Sequence, residues 1–245
     1  MMMIDFHSHI LPGIDDGAKD ISESIRILDL MEQDDVDIIV ATPHFYPHNK
    51  SVESFVSSRS EAFEHLKKNV KPSHPKILLG AEVLYTSKLL DEPNIDALKI
   101  QGTDFLLLEL PYIHFTQSIY DGVNAIAGMK NVKIILAHVE RYLAFNTYQE
   151  VFELFDEANV IGQMNCQSLI GMKSRKRCLE LIKNGCVSIL GTDYHRIERN
   201  DALLGDGLHI LDKKLKKYEL ENIYKASEMV LANSETDDIL NIMTQ

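Results

Sequence analysis

Cysteine is scarce: three thiols, Cys166, Cys178 and Cys186, occur in 245 residues, and no two form a C-x-x-C pair. An odd, sparse set builds neither a disulfide framework nor a thiolate metal site, and it suits a reducing compartment. It also excludes the cysteine-dependent phosphatase mechanism. That mechanism needs an arginine six residues beyond the nucleophile to cradle phosphate, and Met172, Asn184 and Thr192 stand at those positions. The glycine-rich turn G-x-G-x-x-G is missing, which argues against a dinucleotide-binding sheet. Long apolar runs are missing too; residues 105–108 and 134–137 fall far short of the ~20 needed to cross a bilayer, so no membrane insertion is expected. Positive charge is in deficit, with 25 Lys and Arg against 37 Asp and Glu and a net charge of −12. Such a surface repels a polyanion at long range, so nucleic acid is not the expected partner. The basic clusters Lys173, Arg175, Lys176, Arg177 and Lys213, Lys214, Lys216, Lys217 read as solvated helix faces. The start, Met1 to Asp5, offers no basic region and no apolar core of ~7 to 15 residues, and the expectation is a cytoplasmic protein without a signal peptide.

What remains is ordinary globular composition, 45% apolar and 25% charged, enough to bury one large core. Short apolar or β-branched runs at 3–6, 37–41, 77–80, 105–110, 132–137, 160–164 and 187–190 read as strands. The fifth is nearly unbroken, as in a parallel strand buried on both faces. Amphipathic stretches lie between them, beginning with Ile21, Ile25, Leu28 and Met31 after a cap at Asp20 or Ser22, then Phe55, Arg59, Ala62 and Leu66. Further helices are expected at 118–129, 149–159, 174–184, 201–217 and 219–232. Seven β-α units without linker or repeat predict an α/β fold, a single domain over 1–245 forming a TIM-like (β/α)7 barrel. A doubly wound open sheet is the competitor.

Histidines and acids gather where those strands end. The first strand runs into His7 and His9, the second into His44, the third into Glu82; the fourth ends at Glu109, the fifth at His138, and the seventh at Asp193 and His195. Barrel enzymes place catalytic groups at such ends. With Asp16 in the loop after the first strand, these imidazoles and carboxylates are ligand types for divalent first-row metals, and the set exceeds what one ion needs. Two or three ions are implied. His-x-His alone is a weak signal, since alternate residues of an extended segment share a face for many reasons. For single positions plainer roles stand beside the metal reading: Glu109 as a paired interior acid, and Asp15 and Asp16 as turn formers before Gly17. His48, His65, His74, His114 and His209 read as solvent-facing or capping residues, and Asn165 and Cys166 as rim packing.

A multi-metal rim suits phosphoester hydrolysis, because paired cations generate hydroxide at neutral pH and clamp the attacking and leaving oxygens. Arg141, three residues past His138, is placed to grip two phosphate oxygens, with a salt bridge to Glu140 or another rim acid as its alternative. Lys19 reads as a surface lysine. Tyr46, Phe45 and Tyr142 offer an aromatic wall or core packing.

Five motifs carry a resemblance: Asp-Phe-His-Ser-His-Ile at 5–10, Asp-Asp-Gly-Ala-Lys at 15–19, Gly-Ala-Glu-Val at 80–83, Ala-His-Val-Glu-Arg-Tyr at 137–142 and Gly-Thr-Asp-Tyr-His at 191–195. In order and spacing the chain resembles the polymerase and histidinol phosphatase (PHP) family, and within it the bacterial capsule and exopolysaccharide tyrosine-protein phosphatases. The resemblance implies a distorted barrel preferring manganese, with iron or zinc as alternatives. It implies that His7, His9, Glu82 and Asp193 hold one ion, Glu82 bridging to a second held by Glu109 and His138, and that Asp16, His44 and His195 hold a third. The implied substrate is phosphotyrosine in the tyrosine-rich tail of a membrane-linked bacterial tyrosine kinase that controls polysaccharide export. The family segment ending in Arg-Pro after the last histidine reads here Arg196, Ile197, Glu198, Arg199, Asn200, so Arg196 and Arg199 both stand as phosphate ligands beside Arg141. Competing readings are a phosphatase of a small metabolite such as histidinol phosphate, an inert metal-stabilised interaction module, and a metal-dependent nuclease. The acidic charge opposes the last, and nine ligand-type residues exceed what a closed structural site uses.

Overall fold

Five consecutive residues, Ile4–Ser8, are buried on both faces and form the first strand, β1. In the computed structural model, which describes residues 1–244, Asp20 caps the following helix α1 (Ile21–Gln33) by accepting from Glu23 N. The parallel strands then run β2 (Ile38–Ala41), β3 (His44–Phe45), β4 (Lys76–Leu79), β5 (Glu82–Leu84), β6 (Phe105–Glu109), β7 (Lys133–Leu136), β8 (Val160–Asn165) and β9 (Ile189–Gly191). Helices α2 (Val52–Lys67), α3 (Gln117–Ala127), α4 (Tyr148–Glu157) and α5 (Met172–Lys183) alternate with them, and α6 (Leu204–Asp212), α7 (Lys217–Leu231) and α8 (Thr236–Met243) follow.

The nine strands occupy the seven positions expected, because β2 with β3 and β4 with β5 are two staves bent midway. Sheet order is β1-β2-β4 and β3-β5-β6-β7-β8-β9. Pro43 has no N–H to continue its stave, yet its carbonyl accepts from Glu82 N at 3.1 Å, and Gly80 N donates to Ala41 O at 2.9 Å, carrying the pairing across the bend. Arg59, on the same stripe of α2 as Phe55 and Leu66, is buried and donates to Gly80 O at 2.6 Å and Ala97 O at 2.8 Å, fastening the bent staves to α2. The ring is shut at one level. A parallel bridge joins Ser8 to Tyr194, where His9 N donates to Tyr194 O at 2.9 Å and Asp193 N to His7 O at 2.7 Å. The outcome is a distorted TIM-like barrel without a full ladder between first and last strands.

Alternation along the strands separates two cores. Ile39, Leu106, Leu108, Ile134 and Leu136 face the helices, while Phe6, Val40, Phe105, Leu107, Ile135 and Ile161 fill the interior. Ala226 and Val230 of α7 and Ile239 of α8 join that interior cluster. The turn between α7 and α8 is tied to the N-terminal ends of two strands: Asn233 Oδ1 accepts from Asp104 N at 2.9 Å, and Lys133 Nζ donates to Asn233 O at 2.9 Å. These helices plug the bottom of the barrel. The sequence expectation of one helix over 201–217 is corrected to α6, which stops at Asp212, and α8 was not foreseen.

Candidate active site

The opposite, C-terminal mouth of the barrel collects the histidines and acids. His7 Nε2 lies 3.2 Å from His9 Nε2, 3.2 Å from Glu82 Oε2 and 3.4 Å from Asp193 Oδ1. Two imidazole nitrogens facing each other and a carboxylate define a common centre, and the outer ring nitrogens explain the orientation. His7 Nδ1 donates to Gln163 Oε1 at 3.1 Å and His9 Nδ1 to Asp15 Oδ2 at 2.8 Å, which turns both Nε2 lone pairs inward. Glu82 Oε1 lies 2.8 Å from His138 Nε2, and Glu109 Oε1 lies 3.5 Å from the same nitrogen. A third grouping surrounds Asp16 Oδ1, 3.4 Å from His44 Nε2 and 3.3 Å from His195 Nε2. His195 Nδ1 donates to the Asp193 carbonyl at 2.7 Å, again leaving Nε2 free to face the site. Ligand-capable atoms fall into three overlapping sets: His7, His9, Glu82, Asp193; His9, Asp16, His44, His195; and His44, Glu82, Glu109. All nine residues expected as ligands are brought to one mouth.

Divalent cations fit this arrangement. Glu82 Oε2 and His44 Nδ1 are buried 2.8 Å apart, but neither has a hydrogen-bond partner, so two electron-rich atoms converge without a proton geometry to join them. Buried acceptors of this kind call for a cation. The electrostatics agree. Burial alone would raise Glu82, yet His7 and His138 hold it well below the usual carboxylate range, whereas burial and the charge of Glu82 raise Glu109. Burial disfavours protonated His9, but Asp15, Asp193 and Glu82 outweigh it and hold the ring well above its ordinary value. His138 goes the other way, lowered by burial with only partial relief from Glu82.

The backbone is bent to serve the site. His138 and Asp193 have left-handed φ of 31° and 55°, a conformation disfavoured for residues with a Cβ and concentrated at functional sites. Gly17 passes so close to β1 that a Cβ there would sit 2.2 Å from His9 O, which leaves only glycine in the loop that delivers Asp15 and Asp16.

A cavity of about 350 Å³ opens over these residues, lined also by Tyr46, Tyr112, Arg141 and Arg199. Arg141 donates to Asp193 Oδ2 at 2.5 Å and to Tyr112 OH at 3.3 Å, so its rim-acid partner is Asp193 rather than Glu140. Arg199 approaches Asp16 Oδ2 at 3.7 Å. Arg196 is outside the lining set and donates from Nε to Asp16 O at 2.9 Å. Tyr46 stacks on His44 with centroids 5.2 Å apart, while Phe45 and Tyr142 are core residues, the latter's hydroxyl accepting from Leu110 N. Lys19 pairs with Glu198 at the surface. All three cysteines are buried outside the cavity lining, and burial pushes the Cys186 thiol up to about 12.

The sequence did not single out Asp15 and Gln163 as orienting groups. Gln163 had a signal, a polar residue inside an apolar strand. Asp15 was read only as a turn former. Tyr112 had no signal. His74 is buried, against its expected solvent-facing role, and neighbours Asp29 and Glu32. Its Nδ1 accepts from Lys71 N at 3.2 Å and its Nε2–H donates to Asp29 Oδ1 at 2.9 Å, so no lone pair remains there for an ion.

A parallel barrel whose C-terminal mouth gathers imidazoles, carboxylates and arginines defines a metal-centred enzyme of the phosphoester-hydrolase kind. The family model described as capsular polysaccharide synthesis, CpsB/CapC, matches residues 3–232. The chain belongs to that family. It is 26% identical to the tyrosine-protein phosphatase YwqE of Bacillus subtilis, over 94% of this chain and 92% of the relative. It is 24% identical to the tyrosine-protein phosphatase CpsB of Streptococcus agalactiae, over 94% and 99%. A crystal structure from work on YwqE of Bacillus subtilis and CpsB of Streptococcus pneumoniae, described as metal-dependent tyrosine phosphatases, superposes with a TM-score of 0.78 at 21% identity, covering 95% of each chain. Histidinol phosphate phosphatase of Lactococcus lactis shares the fold at a TM-score of 0.56 and 14% identity, over 86% and 93%.

Proposed function

We propose that the protein is a single-domain, metal-dependent protein-tyrosine phosphatase of the cytoplasm. The observation that carries this reading is the set of three overlapping ligand groups under a cavity that Arg141 and Arg199 also line. His7, His9, Glu82 and Asp193 would hold one ion, Glu109 and His138 with Glu82 a second, and Asp16, His44 and His195 a third, with manganese preferred and iron or zinc as substitutes. Bound divalent ions supply an ionisable water at neutral pH and neutralise phosphoryl charge. The chain does the rest. Arg141 and Arg199 grip non-reacting phosphate oxygens, Arg141 as a planar fork. Arg196 fixes the backbone carbonyl of Asp16 and so positions the loop. Tyr46 and Tyr112 give the phenyl ring of the substrate aromatic surface. A phenolate leaves with a pKa of about 10, below that of an alkoxide, so no dedicated general acid is required of the chain.

The substrate we assign is phosphotyrosine of a protein, the tyrosine-rich tail of a bacterial tyrosine kinase that controls capsule or exopolysaccharide synthesis. This agrees with the family description and with the names of the two curated relatives. No helix among the described residues is long and apolar enough to cross a membrane. The deciding experiment offers the manganese-loaded protein a phosphotyrosine peptide, a phosphoserine peptide and histidinol phosphate, and measures phosphate release. Preference for the phosphotyrosine peptide is expected; preference for histidinol phosphate would replace this reading with a metabolite phosphatase.

A further inference from the structure

A second concavity, of about 410 Å³, adjoins the catalytic cavity and shares Tyr112 and Arg141 with it. Its other lining residues include Ala144, Phe145, Ser168, Ser174 and Arg177. Phe145 is 48% exposed and Tyr112 39%, their ring centroids 6.2 Å apart, so two aromatic faces stand open beside the phosphate-gripping arginine. Glu140 borders the groove but is buried, with Oε1 accepting from Ser168 Oγ at 2.8 Å. The far side belongs to the first turns of α5. There Arg175 is committed to the carbonyls of Leu169 and Ile170 at 2.6 and 2.7 Å, while Lys173, Lys176 and Arg177 are exposed. On a chain of net charge −12 this basic turn is a local reversal of sign.

We propose that this groove is a docking site for the residues flanking the phosphotyrosine of an acidic peptide. An apolar side chain beside the phosphotyrosine packs on Phe145 and Tyr112, and acidic residues further along face Lys173, Lys176 and Arg177. The assignment rests on the phosphatase reading and deepens it by naming the sequence class of the substrate. Two observations select the occupant. The groove is continuous with the catalytic cavity through Arg141, so a chain leaving the cavity enters it directly. Arg177 lines its outer side and Lys173 and Lys176 stand exposed on the same turns of α5, a cationic border that attracts acids and repels basic peptides.

The test uses two phosphotyrosine peptides of equal length, one with leucine next to the phosphotyrosine followed by two glutamates, the other with glycine and two glutamines. Manganese-loaded protein should favour the first in kcat/KM by about tenfold, through KM, the size of effect one apolar side chain gives in a pocket. Phe145→Ser and Arg177→Glu should each erode that preference and together remove it, leaving turnover of free phosphotyrosine within about twofold. Fluorescence anisotropy of the same peptides carrying a non-hydrolysable phosphonate should show the same ranking of affinities. Equal kcat/KM for the two peptides, or a preference that survives both substitutions, overturns the docking site. Failure of the phosphatase reading looks different: free phosphotyrosine releases no phosphate, and the groove is then judged by anisotropy alone, where equal affinities overturn it.

Discussion

The two mouths of this barrel are built from the same strands and are chemical opposites. Along β6, Phe105 and Leu107 fill the interior at the lower end, and two residues further, on the same face, Glu109 lines the cavity of the C-terminal mouth. The lower end is dry, close-packed and sealed by Ala226, Val230 and Ile239. The upper end holds left-handed His138 and Asp193, unpartnered Glu82 Oε2 and His44 Nδ1, and two carboxylates displaced in opposite directions, Glu82 lowered by its histidines and Glu109 raised by burial and by Glu82. Stability and reactivity are thus separated by a few ångströms along each strand. Apolar burial below tolerates the strain and desolvated charge above.

The largest separation is expected at Glu82, which faces His7, His44 and His138. Glu82→Gln should lower kcat/KM on phosphotyrosine on the order of 10³-fold, since preorganised charge at a reacting centre is worth that much. Bound metal by elemental analysis should fall with it while the melting temperature holds; undiminished turnover would remove Glu82 from the centre. The converse change lies below. Phe105→Ala should cost about 3 to 5 kcal/mol of stability in denaturant unfolding and leave activity per folded molecule intact, and a loss of activity in the folded variant would erase the division between the mouths. Arg141→Ala should reduce kcat/KM about 10 to 150-fold, the equivalent of roughly 1.5 to 3 kcal/mol for charge-assisted bonds. Metal content should be kept, and its loss instead would make Arg141 a support for Asp193. Asp15→Asn, which weakens the hold on His9, should reduce metal affinity about 10 to 100-fold as read by titration, and an unchanged isotherm would confine Asp15 to its loop. The smallest effect is expected from the thiols. Replacing Cys166, Cys178 and Cys186 with alanine should leave turnover largely intact and chelator-sensitive; a folded but inactive variant, or chelator resistance in the parent, would mean that the nucleophile is misassigned.

Sequence and structure meet most closely at the candidate active site. Strand ends are legible because apolar runs stop abruptly at His7, His44, Glu82, Glu109, His138 and Asp193, and topology then dictates that they share a mouth. What escaped notice depends on distant partners. Gln163 orients His7 across a separation of 156 residues, and no local pattern encodes that pairing. Strands β3 and β5 span two and three residues, too few for alternation to register. Helix α8 mixes Asp237 and Asp238 with four apolar residues over eight positions, and its identity as a plug becomes clear only when the barrel interior supplies the surface it covers. The break after α6 falls in a lysine-rich stretch without proline or glycine, so it had no punctuation to read.

The seam between the first and last strands bears on how the molecule comes together. Thr192 donates to Asp5 through both N and Oγ1, at 2.9 and 2.6 Å, across 187 residues of intervening chain. Closing a loop of that length carries an entropic penalty of roughly 4 to 5 kcal/mol, and topologies dominated by such distant contacts fold slowly. His7 and His9 lie on one side of this seam, Asp193 and His195 on the other. The two groupings that include Asp193 or His195 are therefore completed only when the chain has travelled the full circle, whereas His44, Glu82 and Glu109 come together on neighbouring strands that need no closure.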